Sequence, residues 1–227
     1  MSGGGTAGID LGIDGIIDPV LVGQGGFGAV YRAEQPALGR TVAVKILSAP
    51  GLDDRTRDRF ARECMAIGAL SGHPHIVTVY DSGINAWGRP YIVMDHMSRG
   101  SMADRIARSG ALPWPDAVEI AIKISGAVAT AHSATILHRD IKPPNVLMSS
   151  FNEPKLGDFG ISSIGGSQTN SGSITASIEH AAPELLDGSP ASVATDVYAL
   201  ASTVFTLLTG HPPFDRREDE TVQSLIA

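Results

Sequence analysis

Apolar positions recur along the chain at two different periods, and the change between them divides it. From Val20 to Leu47 they alternate or run together. Val20/Val22, residues 29–33 and Thr41-Val42-Ala43-Val44-Lys45-Ile46-Leu47 carry the pattern, broken by glycines at 23–26 and by Gln35-Pro36-Ala37-Leu38-Gly39-Arg40. Short apolar runs bounded by Gly and Pro predict strands. Over 53–70 the period becomes helical, with Phe60, Glu63, Ile67 and Leu70 on one face and Asp53 placed to cap the first turn. Two more strands are predicted, His75–Tyr80 and Tyr91–Met94, and from Ser101 onward helices take over: 101–109, Pro115–His132 and Asp196–Thr209. A β-rich part with one main helix, then a helix-rich part, predicts an α+β chain of two lobes with a boundary near residues 95–100. Residues 1–18 are glycine-rich, with Ile and Leu at neither period, and read as a flexible leader.

Composition narrows the classes. The 227 residues are 43% hydrophobic and 18% charged, which excludes a disordered chain. With 17 Lys+Arg against 24 Asp+Glu, a net charge of −7 argues against a nucleic-acid surface or a polybasic lipid anchor. The single cysteine, Cys64, leaves no intramolecular disulfide or cysteine-based zinc cluster and suits a reducing compartment. The longest apolar stretch, Val197–Leu208, is shorter than the roughly 18–20 residues of a membrane span. No signal peptide is visible, so the expectation is a soluble, cytoplasmic protein without membrane or direct nucleic-acid contacts.

Three stretches carry candidate chemistry. Gly23-Gln24-Gly25-Gly26-Phe27-Gly28-Ala29-Val30 fits G-x-G-x-x-G-x-V. A dinucleotide-binding turn shares these glycines but must open a helix, whereas here strand-like sequence continues on both sides. The expectation is a hairpin whose backbone can approach an anion closely. In Val42-Ala43-Val44-Lys45-Ile46-Leu47, period two puts Lys45 on the face of Ala43 and Leu47. Lys45 reads either as a lysine snorkelling from a strand or as the partner of Glu63, whose carboxylate sits on the apolar stripe of the 53–70 helix. The most specific stretch is His138-Arg139-Asp140-Ile141-Lys142-Pro143-Pro144-Asn145, followed 13 residues later by Asp158-Phe159-Gly160. Its paired prolines exclude a helix interior. Ala182-Pro183-Glu184 and Thr195-Asp196-Val197-Tyr198-Ala199-Leu200 extend the ordered series.

Together these motifs resemble the bacterial, eukaryotic-like (Hanks-type) serine/threonine protein kinases, over about residues 20–227. The resemblance implies a bilobal protein-kinase fold: a small β-rich N-lobe over 19–97 with one main helix, and a helical C-lobe over 98–227 that lacks its last helices. It implies transfer of the ATP γ-phosphoryl group to Ser/Thr hydroxyls of protein substrates, with Mg²⁺ (or Mn²⁺) as the ion. Val22, Gly23, Gln24, Gly25, Gly26, Phe27 and Gly28 would cover the nucleotide. Val30, Ala43, Met94, Asp95, Met97 and Leu147 would form the adenine pocket, Asp95 and Met97 through their backbone. Lys45 would bind the α/β-phosphates, held by Glu63. Asp140 would orient and deprotonate the acceptor hydroxyl, Lys142 would neutralise the γ-phosphate, and Asn145 and Asp158 would hold the metal ions.

By the same resemblance, Ile67, Val79, His138 and Phe159 stack between the lobes on Asp196, which is also an ordinary core reading. Arg139 points to control by phosphorylation among Thr169, Ser171, Ser173 and Thr175, and to autophosphorylation or self-association. Two other readings stay open: a nucleotide-binding, kinase-like regulatory module, and an inactive truncated fragment less stable than an extended chain. The helix over Asp196–Thr209 is apolar nearly all round and calls for cover on every side; with the last helices lacking, as the resemblance implies, one side is expected to be left as an exposed apolar patch. Ala176 and His180 depart from the family pattern just before Ala182-Pro183-Glu184. Cys64 reads as a packed thiol, and His73, His75, His132 and His211 as structural or surface residues.

Overall fold

The computed structural model describes residues 9–26, 28–48, 53–159 and 178–214. Strands β1 (Ile17–Gly25), β2 (Gly28–Gln35), β3 (Arg40–Leu47), β4 (Val79–Ile84) and β5 (Pro90–Asp95) form one antiparallel sheet in the order β1-β2-β3-β5-β4. Pleating sends alternate β3 side chains to opposite faces. Ala43 and Leu47 join the main core, whereas Val42, Val44 and Ile46 pack with Val93 on the other face. A strand apolar on both faces needs both covered.

The helix α1 (Asp54–Leu70) lies on the main-core side with Phe60, Cys64, Ile67 and Leu70 buried, and Asp53 caps it by accepting from the Thr56 N–H at 2.9 Å. Residues assigned above to the leader cover the opposite face. Leu11, Ile13 and Ile16 are all at most 9% exposed. The Leu11 carbonyl accepts from Asn85 Nδ2 at 2.9 Å and the Gly12 carbonyl from the Ala86 N–H at 3.0 Å. The leader reading therefore fails for 11–16, because its isolated apolar residues answer the second apolar face of β3. Residues 1–8 lie outside the described part.

The strand predicted at His75–Tyr80 starts instead at Val79. Pro74 precedes a stretch that bonds away from the sheet: Leu156 N–H donates to the His75 carbonyl and Val77 N–H to the Leu156 carbonyl, both at 2.9 Å. Leu156 belongs to a small hairpin, β6 (Val146–Met148) and β7 (Pro154–Leu156), whose three-residue strands are too short for periodicity to reveal. The helices α2 (Met102–Ser109), α3 (Trp114–Ser133), α4 (Pro183–Leu186) and α5 (Val193–Thr209) complete the described part. Ser101 and Asp104 form a reciprocal cap on α2, and Ser192 and Thr195 do the same on α5.

In line with the exposed side expected of it, α5 leaves Val197, Phe205 and Leu208 39–53% exposed. Its inward side is rich in hydroxyls. Thr203 and Thr206 satisfy theirs on the Ala199 and Ser202 carbonyls, at 2.8 and 2.9 Å, so polar groups pack inside without outside partners.

Candidate active site

The glycine hairpin joins β1 to β2, with Gly25 opposite Gly28. Gly28 has φ +144°, and a Cβ there would stand 2.1 Å from the Ile46 carbonyl oxygen, so the fold itself requires glycine. Gly25 is different: a Cβ on it would meet no atom of the described residues within 4 Å. The space above that turn suits a phosphate chain approaching the backbone. Phe27 lies outside the described residues. Beneath the hairpin, Val30 and Ala43 come from the sheet, Met94 and Met97 from β5 and the chain after it, and Leu147 from β6, all packed within or against the main core. Ala43 is opposite Met94 in the β3–β5 register and Val30 opposite Lys45 in the β2–β3 register. Val22 and Gln24 are exposed on β1, Gly23 and Gly26 flank the turn, and Asp95 ends β5.

Lys45 is buried, and its Nζ pairs with Asp158 Oδ1 at 2.8 Å, bringing the strand lysine to the Asp158-Phe159 stretch. Burial inside the cleft opposes the Asp158 charge. The Lys45 ammonium outweighs it, aided by Lys142, and holds the carboxyl below its ordinary value. Glu63 accepts from Arg59 Nε one helical turn away at 3.0 Å. The expected Lys45–Glu63 ion pair is therefore not among the pairs formed here. Lys45 reaches across the cleft to Asp158, and Glu63 turns along α1 to Arg59. Glu63 also lines a pocket of about 170 Å³ with Ile67, Ile136, Arg139 and Phe159.

The 138–145 loop is fixed from below. Asp196, in the first turn of α5 and 1% exposed, accepts from the backbone N–H groups of His138 and Arg139, each at 2.8 Å. His132 Nε2 reaches the same carboxylate at 2.8 Å. A carboxylate near a helix N-terminus also gains from the helix dipole. These bonds hold Arg139 at φ +67°, a costly conformation for a non-glycine residue. His138 Nδ1 accepts from the Asp140 N–H at 3.3 Å, which leaves Nε2 to donate to the Gly157 carbonyl at 2.9 Å. Burial keeps that imidazole neutral. Its ring lies 4.5 Å from that of Phe159.

Asp140 is held from both sides. Asn145 Nδ2 donates to its Oδ2 at 3.0 Å and to its backbone carbonyl at 2.7 Å, and Lys142 Nζ lies 2.9 Å from Oδ1. The two prolines of 143–144 form a short 3₁₀ turn that presents Asn145, whose carbonyl in turn accepts from the Gly157 N–H at 2.9 Å. Thus Lys45, Asp140, Lys142, Asn145 and Asp158, from three separate stretches, converge on one cleft. The donor set suits a magnesium nucleotide: one carboxylate and one amide would meet the ion, phosphate oxygens would supply further ligands, and two lysines would balance the charge. Among the described residues no cluster of three or more His, Cys, Asp or Glu could hold a metal by itself.

His132, read as structural or surface, has a structural role as a partner of Asp196. Sequence reasoning missed Ser202, which bonds buried His180 at 2.8 Å. The signal for His132 was its place directly after Ala131 on the buried side of α3. Other expectations stand where they were put. Burial pushes the Cys64 thiol up to about 11, and Cys64 is packed in the core. His75 bonds the Pro154 carbonyl. No helix among the described residues is long and apolar enough to cross a membrane. Gly160, Thr169, Ser171, Ser173, Thr175, Ala176 and Ser177 lie outside the described residues.

A five-stranded antiparallel sheet with one helix, set against a helical part and meeting it at a cleft of this composition, is the architecture of a nucleotide-dependent kinase. The chain belongs to the protein kinase family: residues 18–227 match the protein kinase domain model. It is 46% identical over 215 residues to the serine/threonine-protein kinase PknK of Mycobacterium tuberculosis, covering 94% of this chain and 19% of that protein. It is 38% identical over 198 residues to the serine/threonine-protein kinase PrkC of Bacillus subtilis, covering 86% of this chain and 30% of that one. The chain thus spans a fifth to a third of the length of these relatives. Its fold matches the crystal structure of the Mycobacterium tuberculosis PknI kinase domain with a TM-score of 0.70 at 33% identity, covering 93% of this chain and 80% of that one. Rad53 in complex with AMP-PNP matches with a TM-score of 0.73 at 32% identity, over 90% of this chain and 50% of that one. The family is one of serine/threonine protein kinases that use ATP and a divalent metal.

Proposed function

We propose that this chain transfers the γ-phosphoryl group of ATP to Ser/Thr hydroxyls of protein substrates, with Asp140 as the residue that orients and deprotonates the acceptor. The observation that carries this reading is the double restraint on Asp140, by Asn145 at 3.0 Å and Lys142 at 2.9 Å, at the mouth of a cleft that also holds Lys45 and Asp158. Phosphoryl transfer needs little covalent help, so fixed geometry and positive charge supply most of the acceleration. Bound magnesium would screen the phosphate charge. Asn145 and Asp158 would hold it. Lys45 would exchange Asp158 for phosphate oxygens, leaving the Asp158 carboxylate to the ion. Lys142 would sit beside both the base and the transferred group, and Val30, Ala43, Met94 and Leu147 would enclose the adenine. Glu63 would steady Lys45 once Arg59 releases it.

We further propose control by phosphorylation within 160–177, with Arg139 supplying the cation that a phosphate there would meet. The test compares two variants. Asp140→Asn should reduce transfer about 10²- to 10⁴-fold while leaving MgATP binding within about twofold, because it removes the base and not a metal ligand. Asp158→Ala should weaken magnesium-dependent nucleotide binding as well. Equal transfer by Asp140→Asn and the native chain would refute the reading. A chain that binds MgATP without transferring would instead be a regulatory module.

A further inference from the structure

The helix α3 is apolar on two sides, and only one of them packs on the rest of the described chain. Ala117, Ile120, Ile124, Ala127, Val128 and Ala131 are buried. On the other side Val118, Ile122, Ser125 and Ala129 recur at spacings of four, three and four, which keeps them on one stripe, and all four are exposed. Ile122 is 68% exposed, and Trp114 at the head of the helix 71%. Single exposed apolar residues are ordinary, whereas a stripe of them along one helix marks an interaction surface. Its polar groups are already satisfied. Ser125 Oγ donates to the Ala121 carbonyl at 2.6 Å and Ser133 Oγ to the Thr130 carbonyl at 2.8 Å. Lys123 Nζ pairs with Glu119 and Glu153, each at 2.7 Å, to one side of the stripe. A surface laid on the stripe meets no charge there and strips no hydroxyl of its partner.

The stripe is complementary to itself. Its large side chains, Trp114, Val118 and Ile122, occupy the N-terminal half, and its small ones, Ser125, Ala129 and Ser133, the C-terminal half. Against an antiparallel second α3, with the two-fold axis level with residues 123–124, Ile122 faces Ser125, Val118 faces Ala129 and Trp114 faces Ser133. Every contact then sets a large side chain against a small one, as close helix packing requires. Phe151, 87% exposed, adds to this surface from the β6–β7 turn, which Glu153 ties to Lys123 of α3. With aromatic side chains at ~150–250 Å² each, Trp114, Val118, Ile122 and Phe151 present roughly 500 Å² per copy and roughly 1,000 Å² per pair, the lower end of specific interfaces. The exposed side of α5 lacks such symmetry, because it carries large side chains at both ends, Val193 and Val197 at one, Phe205 and Leu208 at the other.

We infer that α3 is the contact surface for a second copy of this chain, packed antiparallel about a two-fold axis through the stripe from Val118 to Ala129. Such a contact is isologous and closes on itself, giving a dimer and not a filament. The inference does not rest on the transfer reading, since no residue of the stripe belongs to the cleft. A contact of this area gives a reversible pair. Each copy carries a net charge of −7 and the stripe carries none, so salt screens the repulsion between copies and leaves the apolar contact intact. Association therefore tightens with salt, the opposite of an interface built on ion pairs.

Sedimentation velocity of the full chain over about 1–200 µM tests this, with a monomer–dimer equilibrium expected at a Kd of about 10 µM that tightens about twofold or more from low to high salt. Ile122→Lys, at an exposed position the fold does not need, should weaken association about tenfold or more, whereas Phe205→Lys on α5 should leave it within about twofold. The register is read by cross-linking. Chains carrying Val118→Cys and Ala129→Cys are mixed with oxidised glutathione as the oxidant, the native Cys64 being buried. The mixed disulfide should exceed either like-with-like one about tenfold, because only unlike positions face each other. A monomer at every concentration would leave the stripe to a different protein and overturn the inference. So would association that survives Ile122→Lys and fails in Phe205→Lys, association that weakens with salt, or cross-links that form like with like.

Discussion

The catalytic loop and the lysine side of the cleft hold their charges in opposite ways. Around 138–145 the fixed partners are backbone groups and buried side chains: Asp196 takes two amides and His132, and His138 links Asp140 to Gly157. Lys45 and Glu63 instead have partners that can be exchanged, Asp158 across the cleft and Arg59 along the helix. A buried carboxylate with several donors has no equivalent alternative and stays put. A buried ion pair gives up a partner only where another charge replaces it, which is what the phosphate oxygens of the proposed nucleotide would do at Lys45. The proposed base, Asp140, is preorganised, and the phosphate side is left to be completed.

That contrast can be broken most directly at its rigid end. Asp196→Ala removes three bonds from a buried site and should cost about 3–5 kcal/mol in urea unfolding, with transfer lost before the fold is. A cost below about 1 kcal/mol would mean that the loop does not depend on α5. The strand that carries Lys45 comes next. Leu11→Ala should destabilise the chain by about 2–4 kcal/mol, since it uncovers the outer face of β3. Hydrogen exchange should then rise in β2 and β3 and stay unchanged in the 138–145 loop.

A pH series sharpens the exchangeable end. Burial opposes the Asp158 charge, yet Lys45 holds its carboxyl below the ordinary value. The stabilisation is therefore present above the unfolded value of about 4 and is lost as pH falls through the lowered one. Lys45→Met leaves only the burial, so the variant should be less stable than native at neutral pH, and the gap in Tm should close below about pH 4. A gap independent of pH would show that the pair does not act through charge. The smallest effect is expected from Arg59→Ala, which removes a partly exposed pair within one helix and should change stability by no more than about 0.5 kcal/mol. A larger loss would make the Glu63 side as fixed as the loop.

The comparison also explains what could be read before any coordinates. The 138–145 loop was legible because five polar residues and two prolines fall within eight positions, and short-range chemistry is written in short-range sequence. The capped helix after Asp53 was legible for the same reason. Partners far apart in the chain were not. Nothing local to Lys45 distinguishes Asp158 from Glu63, because both carboxylates lie beyond its own strand and only the packing of α1 decides between them. Likewise, the covering role of Leu11, Ile13 and Ile16 follows from β3 being apolar at every position but Lys45 over 42–47, a clue that lies some thirty residues downstream of the residues it explains. His180 was visible as an unusual residue, but its partner Ser202 sits in a helix whose inward hydroxyls look like surface positions by pattern alone.

The central claim is that Asp140 acts as the base in a cleft built to pass phosphate to a hydroxyl. Single-turnover incorporation of labelled phosphate from MgATP, with phosphoamino-acid analysis of an added protein substrate, tests it most directly. The account predicts phosphoserine or phosphothreonine from the native chain, and from Asp140→Asn a rate lower by about 10²- to 10⁴-fold at unchanged nucleotide affinity. Phosphate appearing at the same rate in both proteins, or nucleotide bound by the native chain with no phosphate passed to serine or threonine, would contradict it.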